Sequence, residues 1–265
     1  MPDVSNYLVC ASQRSGSTLL VESLAATGVA GKPQEFFQYF TTSSQAPQPR
    51  EWFVGVKNPE ILSRLAPLDR GLVDTRDSDE WKADILDHGR SPNGVWGGKL
   101  MWNQTPLLIA RTRVGAGTLR TAIHALFDGI DPVYIHVYRE DVVPQAISMW
   151  RAVQTRVWRD EDGVHAGSDD GAVYNAEGIA HLAGLLLDQD RNWRRWFRKE
   201  SIDPVIVPFG ELVGSPTATT ARILTAIGQD PDLAPPPPLK PQANARSKEW
   251  AARYRADAAR NGYPL

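Results

Sequence analysis

The residues most able to do chemistry in this chain are gathered in one short stretch, Ser12-Gln13-Arg14-Ser15-Gly16-Ser17-Thr18. The apolar run Tyr7–Ala11 leads into it, and a helical pattern leaves it. A turn of this kind presents free backbone N–H groups and the positive end of a helix dipole, which together stabilise an anion. Gly16 lets the backbone approach closely, Ser15, Ser17 and Thr18 add hydroxyl donors, and Arg14 adds a forked cation. The same residues also suit an ordinary strand-to-helix turn with a serine cap. A triphosphate loop of the form G-x-x-x-x-G-K-[ST] places a lysine on the phosphates and a hydroxyl on magnesium. Here the stretch has one glycine and no lysine. A magnesium site would also want an acidic residue at the tip of a later strand. The apolar run Val133–Tyr138 ends instead at Arg139, with Asp141 two residues on. Arginines at two strand ends suit a donor with phosphate at both ends of a ribose.

The elements that must position these groups follow from the pattern of apolar residues. Tyr7–Ala11, Val95–Met101, Val133–Tyr138 and Pro204–Phe209 are short and continuously apolar, as strands covered on both faces are. Helical patterns lie between them at Ser17–Thr27, Asp79–His88, Asp141–Trp158, Asn175–Lys199 and Pro216–Ile227. Strands alternating with helices predict an α/β fold with a P-loop-like, three-layer arrangement around a mainly parallel sheet. The stretch 29–60 reads as mostly irregular, and a long irregular segment in a compact domain is often a binding element. Residues 1–265 read as a single domain, with a Pro-rich linker at 234–242 leading to a C-terminal helix.

Composition narrows the classes. The net charge of -2 argues against a general nucleic-acid binder. The single cysteine, Cys10, forms no internal disulfide and fits a reducing, cytoplasmic setting. No apolar run reaches the roughly 18 residues of a membrane span, and the N-terminus does not read as a signal peptide.

The motifs then resemble a known family. SQRSGSTLL is similar to the 5′-phosphosulfate loop of sulfotransferases, which use 3′-phosphoadenosine 5′-phosphosulfate (PAPS) on a P-loop-like parallel sheet. The family holds the 3′-phosphate with a strand-end arginine and a serine on the next helix, and YREDVVPQAIS supplies Arg139 and Ser148, with a spacing one residue longer than usual. ATGVAGKPQEFFQYF, QPREWF, GVWGGKLMWNQTPLL, WRAVQTRVWR and the tail around Lys248-Glu249-Trp250 extend the similarity along nearly the whole chain, towards the mycobacterial-type trehalose 2-sulfotransferases. Residues 41–48, 60–80 and 160–174 match poorly.

The resemblance implies a division of labour. Arg14, Ser15, Gly16, Ser17 and Thr18 hold the 5′-phosphosulfate; Arg139 and Ser148 hold the 3′-phosphate; no metal takes part. Glu35 is the general base that takes the proton from a trehalose hydroxyl, the product being trehalose 2-sulfate, a step towards sulfated glycolipids. It also implies a homodimer, with neither nucleic acid nor membrane insertion. The residues agree in part. Pro33 stiffens the approach, and Phe36 and Phe37 can exclude water and raise the Glu35 pKa towards neutrality. Glu35 could equally open a short helix, EFFQYF, and serve its dipole. Gln13, Gln34, Glu35 and Gln38 offer polar edges to a sugar, Phe36, Phe37 and Trp52 offer faces, and Pro33 and Pro47 shape walls.

Other residues stay open. Lys99 follows two glycines; it reads as a strand-end lysine reaching solvent, or as a cation for leaving-group charge. His136 competes with Glu35 as base. Arg246 and Arg253 are candidates for the 3′-phosphate or the adenine. Two other functions remain: a small-molecule kinase using ATP with magnesium, and a binding module that keeps the fold without catalysis. Within sulfotransferases, another carbohydrate or a glycolipid remains a possible acceptor.

Overall fold

The computed structural model describes residues 6–38, 49–67, 74–112, 117–158, 171–236 and 245–265. Its four strands, β1 (Tyr7–Ala11), β2 (Gly97–Met101), β3 (Val133–Tyr138) and β4 (Val205–Pro208), form one sheet in the order β2-β1-β3-β4. Every pairing is parallel. The helices are α1 (Ser17–Ala26), α2 (Pro59–Arg64), α3 (Ser78–His88), α4 (Thr105–Arg111), α5 (Leu119–Leu126), α6 (Val142–Thr155), α7 (Ala176–Lys199), α8 (Phe209–Gly214), α9 (Pro216–Ala226) and α10 (Ala245–Asn261).

Contacts group the chain into two compact units. The first comprises Met1–Gln45, Leu72–Glu140 and Gln189–Pro241; the second comprises Ala46–Gly71, Asp141–Asp188 and Gln242–Leu265. The sheet belongs to the first. Successive side chains of a strand point to opposite faces, and β1 shows what this does. Leu8 and Cys10 enter one apolar cluster with Trp81 and Ile85 of α3, Leu108 of α4, Ile123 of α5 and Trp193 and Phe197 of α7. Tyr7, Val9 and Ala11 enter another with Leu20 and Leu24 of α1, Leu212 of α8 and Ile223 and Leu224 of α9. The sheet therefore lies between two helical layers, and all five residues of β1 are 0% exposed. That double cover is why the strands read as unbroken apolar runs. In the second unit, Trp52, Phe53, Ile61, Val142, Trp150, Leu182 and Tyr254 share a separate core.

Element boundaries follow local chemistry. The bounds of β1 and β3 are those expected from sequence. β2 starts at Gly97, after Trp96 has already made an isolated antiparallel bridge with Arg90. Phe209, expected to end β4, starts α8. Asp77 caps α3 with a reciprocal capping box to Glu80. Within 29–60 the described residues include a 3₁₀ turn at Pro49–Phe53 and the start of α2. The expected linker at 234–242 falls mostly on residues outside those described.

One edge of the sheet matters for the site. β2 is terminal, and its free side receives the segment Val29–Glu35. Tyr7 Oη donates to the Ala30 carbonyl at 2.6 Å, and Gly31 N donates to Ser91 Oγ at 2.9 Å. Lys32 N donates to the Gly89 carbonyl at 2.9 Å, and Gln34 bridges Gly98 in parallel, its carbonyl accepting from Lys99 N at 2.9 Å. The glycine pair Gly97-Gly98 makes room for aromatic side chains. A Cβ on Gly97 would lie 2.4 Å from the Tyr7 ring, and one on Gly98 2.3 Å from the Trp96 ring. Gly98→Ala should therefore lower stability by about 1–3 kcal/mol, the usual cost of overpacking. A denaturant midpoint unchanged from wild type would refute this packing role.

Candidate functional site

The loop after β1 has the form an anion site needs. The Ala11 carbonyl accepts from Trp193 Nε1 at 2.9 Å, which anchors the strand end. Arg14 and Gly16 both take positive φ, 61° and 93°, so the chain folds twice before α1 begins. No side chain caps the start of α1, and its first turn carries no acidic residue. Ser15 is 0% exposed, and its Oγ has no hydrogen-bond partner in the structure. A buried hydroxyl without a partner is costly. An anion held on the helix N-terminus would supply what that hydroxyl lacks.

Phe209, at the start of α8, ties this loop to Arg139. A Cβ on Gly16 would come within 2.7 Å of Phe209 Cδ2, so only glycine lets the ring lie there. The Arg139 guanidinium stacks over the same ring, 4.1 Å from its centroid. The strand-end arginine and the loop thus share one aromatic support. The sequence reading missed Phe209, because a phenylalanine closing an apolar run looks like core.

The acceptor candidate Glu35 lies one residue past the bridge made by Gln34, and it is not helical. Parallel pairing with β2 brings its carboxylate onto the Lys99 ammonium, Oε1 to Nζ 2.7 Å. Lys99 Nζ also donates to Thr18 Oγ1, in the first turn of α1, at 3.3 Å. Glu35 Oε2 accepts from Gln104 Nε2 at 3.0 Å and from the Gln38 amide. Gln104 is itself fixed, its Oε1 accepting from Met101 N at 3.0 Å. Burial pushes the Glu35 pKa up, but the Lys99 charge and the three side-chain hydrogen bonds outweigh it and hold the carboxyl below its ordinary value. This corrects the expectation that Phe36 and Phe37 raise it towards neutrality. It also corrects the reading of Lys99 as reaching solvent: its side chain is 2% exposed. The glycine pair was the only signal for Lys99, and its contact with Glu35 comes from a segment far away in sequence.

The remaining candidates are distributed as follows. Gln13, in the loop after β1, is buried and donates through Nε2 to Asn103 Oδ1. Pro33 is buried and Gln34 exposed on the segment that carries Glu35. Phe36 packs on Trp96, centroids 5.7 Å apart. Phe37 is 1% exposed with its ring edge-on to Trp81, so it serves the core beneath the segment and not a sugar face. Pro47 lies outside the described residues. Trp52 and Ser148 belong to the second unit, as do Arg246 and Arg253. Trp52 is buried there against Trp158, and Ser148 lies on α6. Arg246 and Arg253 stack over Trp250 and Tyr174. His136 is 1% exposed, paired with Asp190 at 3.2 Å and flanked by Tyr138 and Phe197. That is a packed, structural setting. Among the described residues no group of three or more His, Cys, Asp or Glu is placed to hold a metal ion, and no helix is long and apolar enough to cross a membrane.

Comparison with known proteins fits this geometry. The chain is 55% identical over 266 aligned residues to the trehalose 2-sulfotransferase of Mycobacterium tuberculosis (strain Erdman), covering 98% of each chain. It is 54% identical over 265 residues to the trehalose 2-sulfotransferase of Mycolicibacterium smegmatis, covering 98% of this chain and 97% of that one. A solved sulfotransferase from Alicyclobacillus acidocaldarius is a more distant likeness, with 12% identity, a TM-score of 0.43, and coverage of 97% of this chain and 93% of that one. The family model Stf0 sulphotransferase matches residues 6–257, and with near full-length relatives above half identity the chain belongs to the Stf0 sulphotransferase family.

Proposed function

We propose that this enzyme moves the sulfuryl group of PAPS to a hydroxyl of trehalose, at the 2-position, giving trehalose 2-sulfate for sulfated glycolipid synthesis. The observation that carries the reading is the meeting of donor-side and acceptor-side groups: the Glu35 carboxylate is joined through Lys99 to Thr18 of the anion loop. The acceptor itself is taken from the two relatives named above.

In this reading the loop amides, Arg14 and the hydroxyls of Ser15, Ser17 and Thr18 hold the 5′-phosphosulfate. The buried Ser15 hydroxyl gains the partner it lacks. The same amides, fixed before reaction, offset charge growing on the departing phosphate. Arg139 takes the 3′-phosphate, held for it by the Phe209 ring. Ser148 is assigned the same phosphate on the resemblance alone. Glu35 accepts the proton of the attacking hydroxyl, while Gln13, Gln34 and Gln38 offer hydrogen bonds to the sugar. The reading also includes a homodimer, which light scattering of the purified protein tests directly.

Three outcomes check it. The product nucleotide 3′,5′-ADP should raise the melting temperature, whereas ADP with magnesium should not; the reverse pattern would favour a kinase. Arg139→Ala should weaken 3′,5′-ADP by roughly ten- to a hundred-fold, the worth of a charged hydrogen bond, while leaving 5′-AMP almost unaffected. Glu35→Gln should cut turnover by about 10²–10⁴ with nucleotide affinity retained; full turnover in that variant removes Glu35 from the base role.

A further inference from the structure

The loop after β1 lacks the lysine of a triphosphate loop, yet a lysine from strand β2, Lys99, reaches the first turn of α1 at Thr18. It is a buried cation whose ammonium touches both halves of the site: Glu35 Oε1 at 2.7 Å and Thr18 Oγ1 at 3.3 Å. A general base locked to an ammonium is a poor base. A cation spent on a carboxylate gives little to a phosphate. The arrangement is useful if the ammonium has two positions.

We propose that Lys99 is a catalytic residue that is handed over, leaving Glu35 for the donor's phosphosulfate when the donor fills the anion loop, so that donor binding frees Glu35 to act. The inference rests on the sulfotransferase reading above. Thr18 marks the direction of the movement, since its hydroxyl already accepts from Lys99 and it sits in the first turn of α1. A lysine side chain can shift its head by such a distance without moving the strand. The backbone bond from Lys99 N to the Gln34 carbonyl, 2.9 Å, does not involve the side chain that moves.

The chemistry balances in one displacement. The acceptor oxygen forms its bond to sulfur as the bond from sulfur to the 5′-phosphate oxygen breaks. The hydroxyl proton passes to Glu35. The electron pair of the broken bond stays on the phosphate oxygen, where the Lys99 ammonium and loop amides offset its charge. Glu35 later returns its proton to solvent, and Lys99 returns to Glu35 when the nucleotide leaves.

Among the described residues, the groups facing the Glu35 carboxylate are Lys99 from β2, Gln38 from its own turn and Gln104 from the 3₁₀ turn after β2, and of these Lys99 carries the charge. Burial pushes resting Glu35 up, and the Lys99 charge and hydrogen bond, with the Gln38 and Gln104 amides, hold it below its ordinary pKa. Withdrawing the ammonium leaves burial opposed only by the two amides, so the carboxyl rises from its resting value. At mildly acidic pH, nucleotide binding should draw a proton from solvent onto Glu35.

The test is calorimetric titration of the full chain with 3′,5′-ADP, near pH 5, in buffers of different ionisation heat. Wild type should take up more protons per nucleotide bound than Glu35→Gln or Lys99→Met, whose uptake reports the nucleotide alone. Equal uptake in all three overturns the hand-over. In sulfuryl transfer, Lys99→Met should lose about 10²–10³ in kcat, the usual cost of removing a donor to developing negative charge, with acceptor KM little changed. Lys99→Arg should recover part of it. The double variant Lys99→Met/Glu35→Gln carries no unpaired buried charge, so it folds if the single variant does not, and it must show the same low proton uptake. Wild-type transfer with Lys99→Met fully active sinks this inference and spares the sulfotransferase reading; no PAPS-dependent transfer by wild type sinks both.

Discussion

The site depends on one partly buried ion pair, Lys99 with Glu35: the lysine side chain is 2% exposed and the carboxylate side chain 25%. Charges taken from water are expensive, and a buried pair often stabilises a fold no better than a well-packed apolar pair would. What makes this one tolerable is the completeness of its surroundings. Glu35 Oε2 has two amide donors, and Lys99 has both a carboxylate and a hydroxyl to donate to. Removing Glu35 would strand the Lys99 charge away from water, which is costly, whereas the partly exposed Glu35 carboxylate would keep some hydration if Lys99 were removed. Such an arrangement is a poor way to gain stability and a good way to hold two opposite charges at a defined separation, next to a helix N-terminus.

The pair exists because the edge of a sheet is used for pairing. An unpaired terminal strand is normally a liability, since its amides and carbonyls are open to any other strand. Here Gln34 covers part of that edge, and the bridge to Gly98 sets the register. In a parallel pairing the next residue, Glu35, then falls beside the next position of β2, Lys99. The register is pinned from the other end by Tyr7, Ser91 and Gly89, which bond the segment at Ala30, Gly31 and Lys32. Trp96 and Tyr7 fill the space beside the glycine pair. The glycine pair is room for aromatic rings, and the rings fix the strand that carries Lys99.

How far these features were legible in the sequence follows from how local they are. β1, β3 and α1 could be read because their cause is local: continuous apolar residues covered on both faces, and a helix starting after a glycine turn and ending near Gly28. The form of the loop after β1 was legible for the same reason, since its residues Ser12–Thr18 are consecutive. Glu35 could be named, but its state could not. Its nearest sequence neighbours are aromatic and argue for a raised pKa, whereas its actual neighbours are Lys99 and Gln104, brought from the end of β2 by pairing. Phe209 was invisible because its role depends on Gly16 and Arg139 meeting it from two other strand ends. Trp52, Arg246 and Arg253 show the opposite limit. Their types suit ligand recognition, yet their rings and guanidinium groups are engaged in packing and stacking within the second unit.

The placement of the lysine on a strand, and not in the loop, has its own consequence. A cation inside the phosphate loop answers only to the donor. A cation on β2 beside Glu35 can answer to both substrates, since its ammonium touches Glu35 and Thr18. In the proposed hand-over, its partner before the donor arrives is the carboxylate that later accepts a proton, so that charge on the donor and basicity at the acceptor are exchanged through one ammonium. A loop lysine would leave Glu35 to be set by burial and its two amide hydrogen bonds, the same whether or not a donor were present. Under the proposed hand-over, a cation drawn from the strand edge makes the order of events a matter of electrostatics: the negative charge that enters the loop is the charge that releases Glu35.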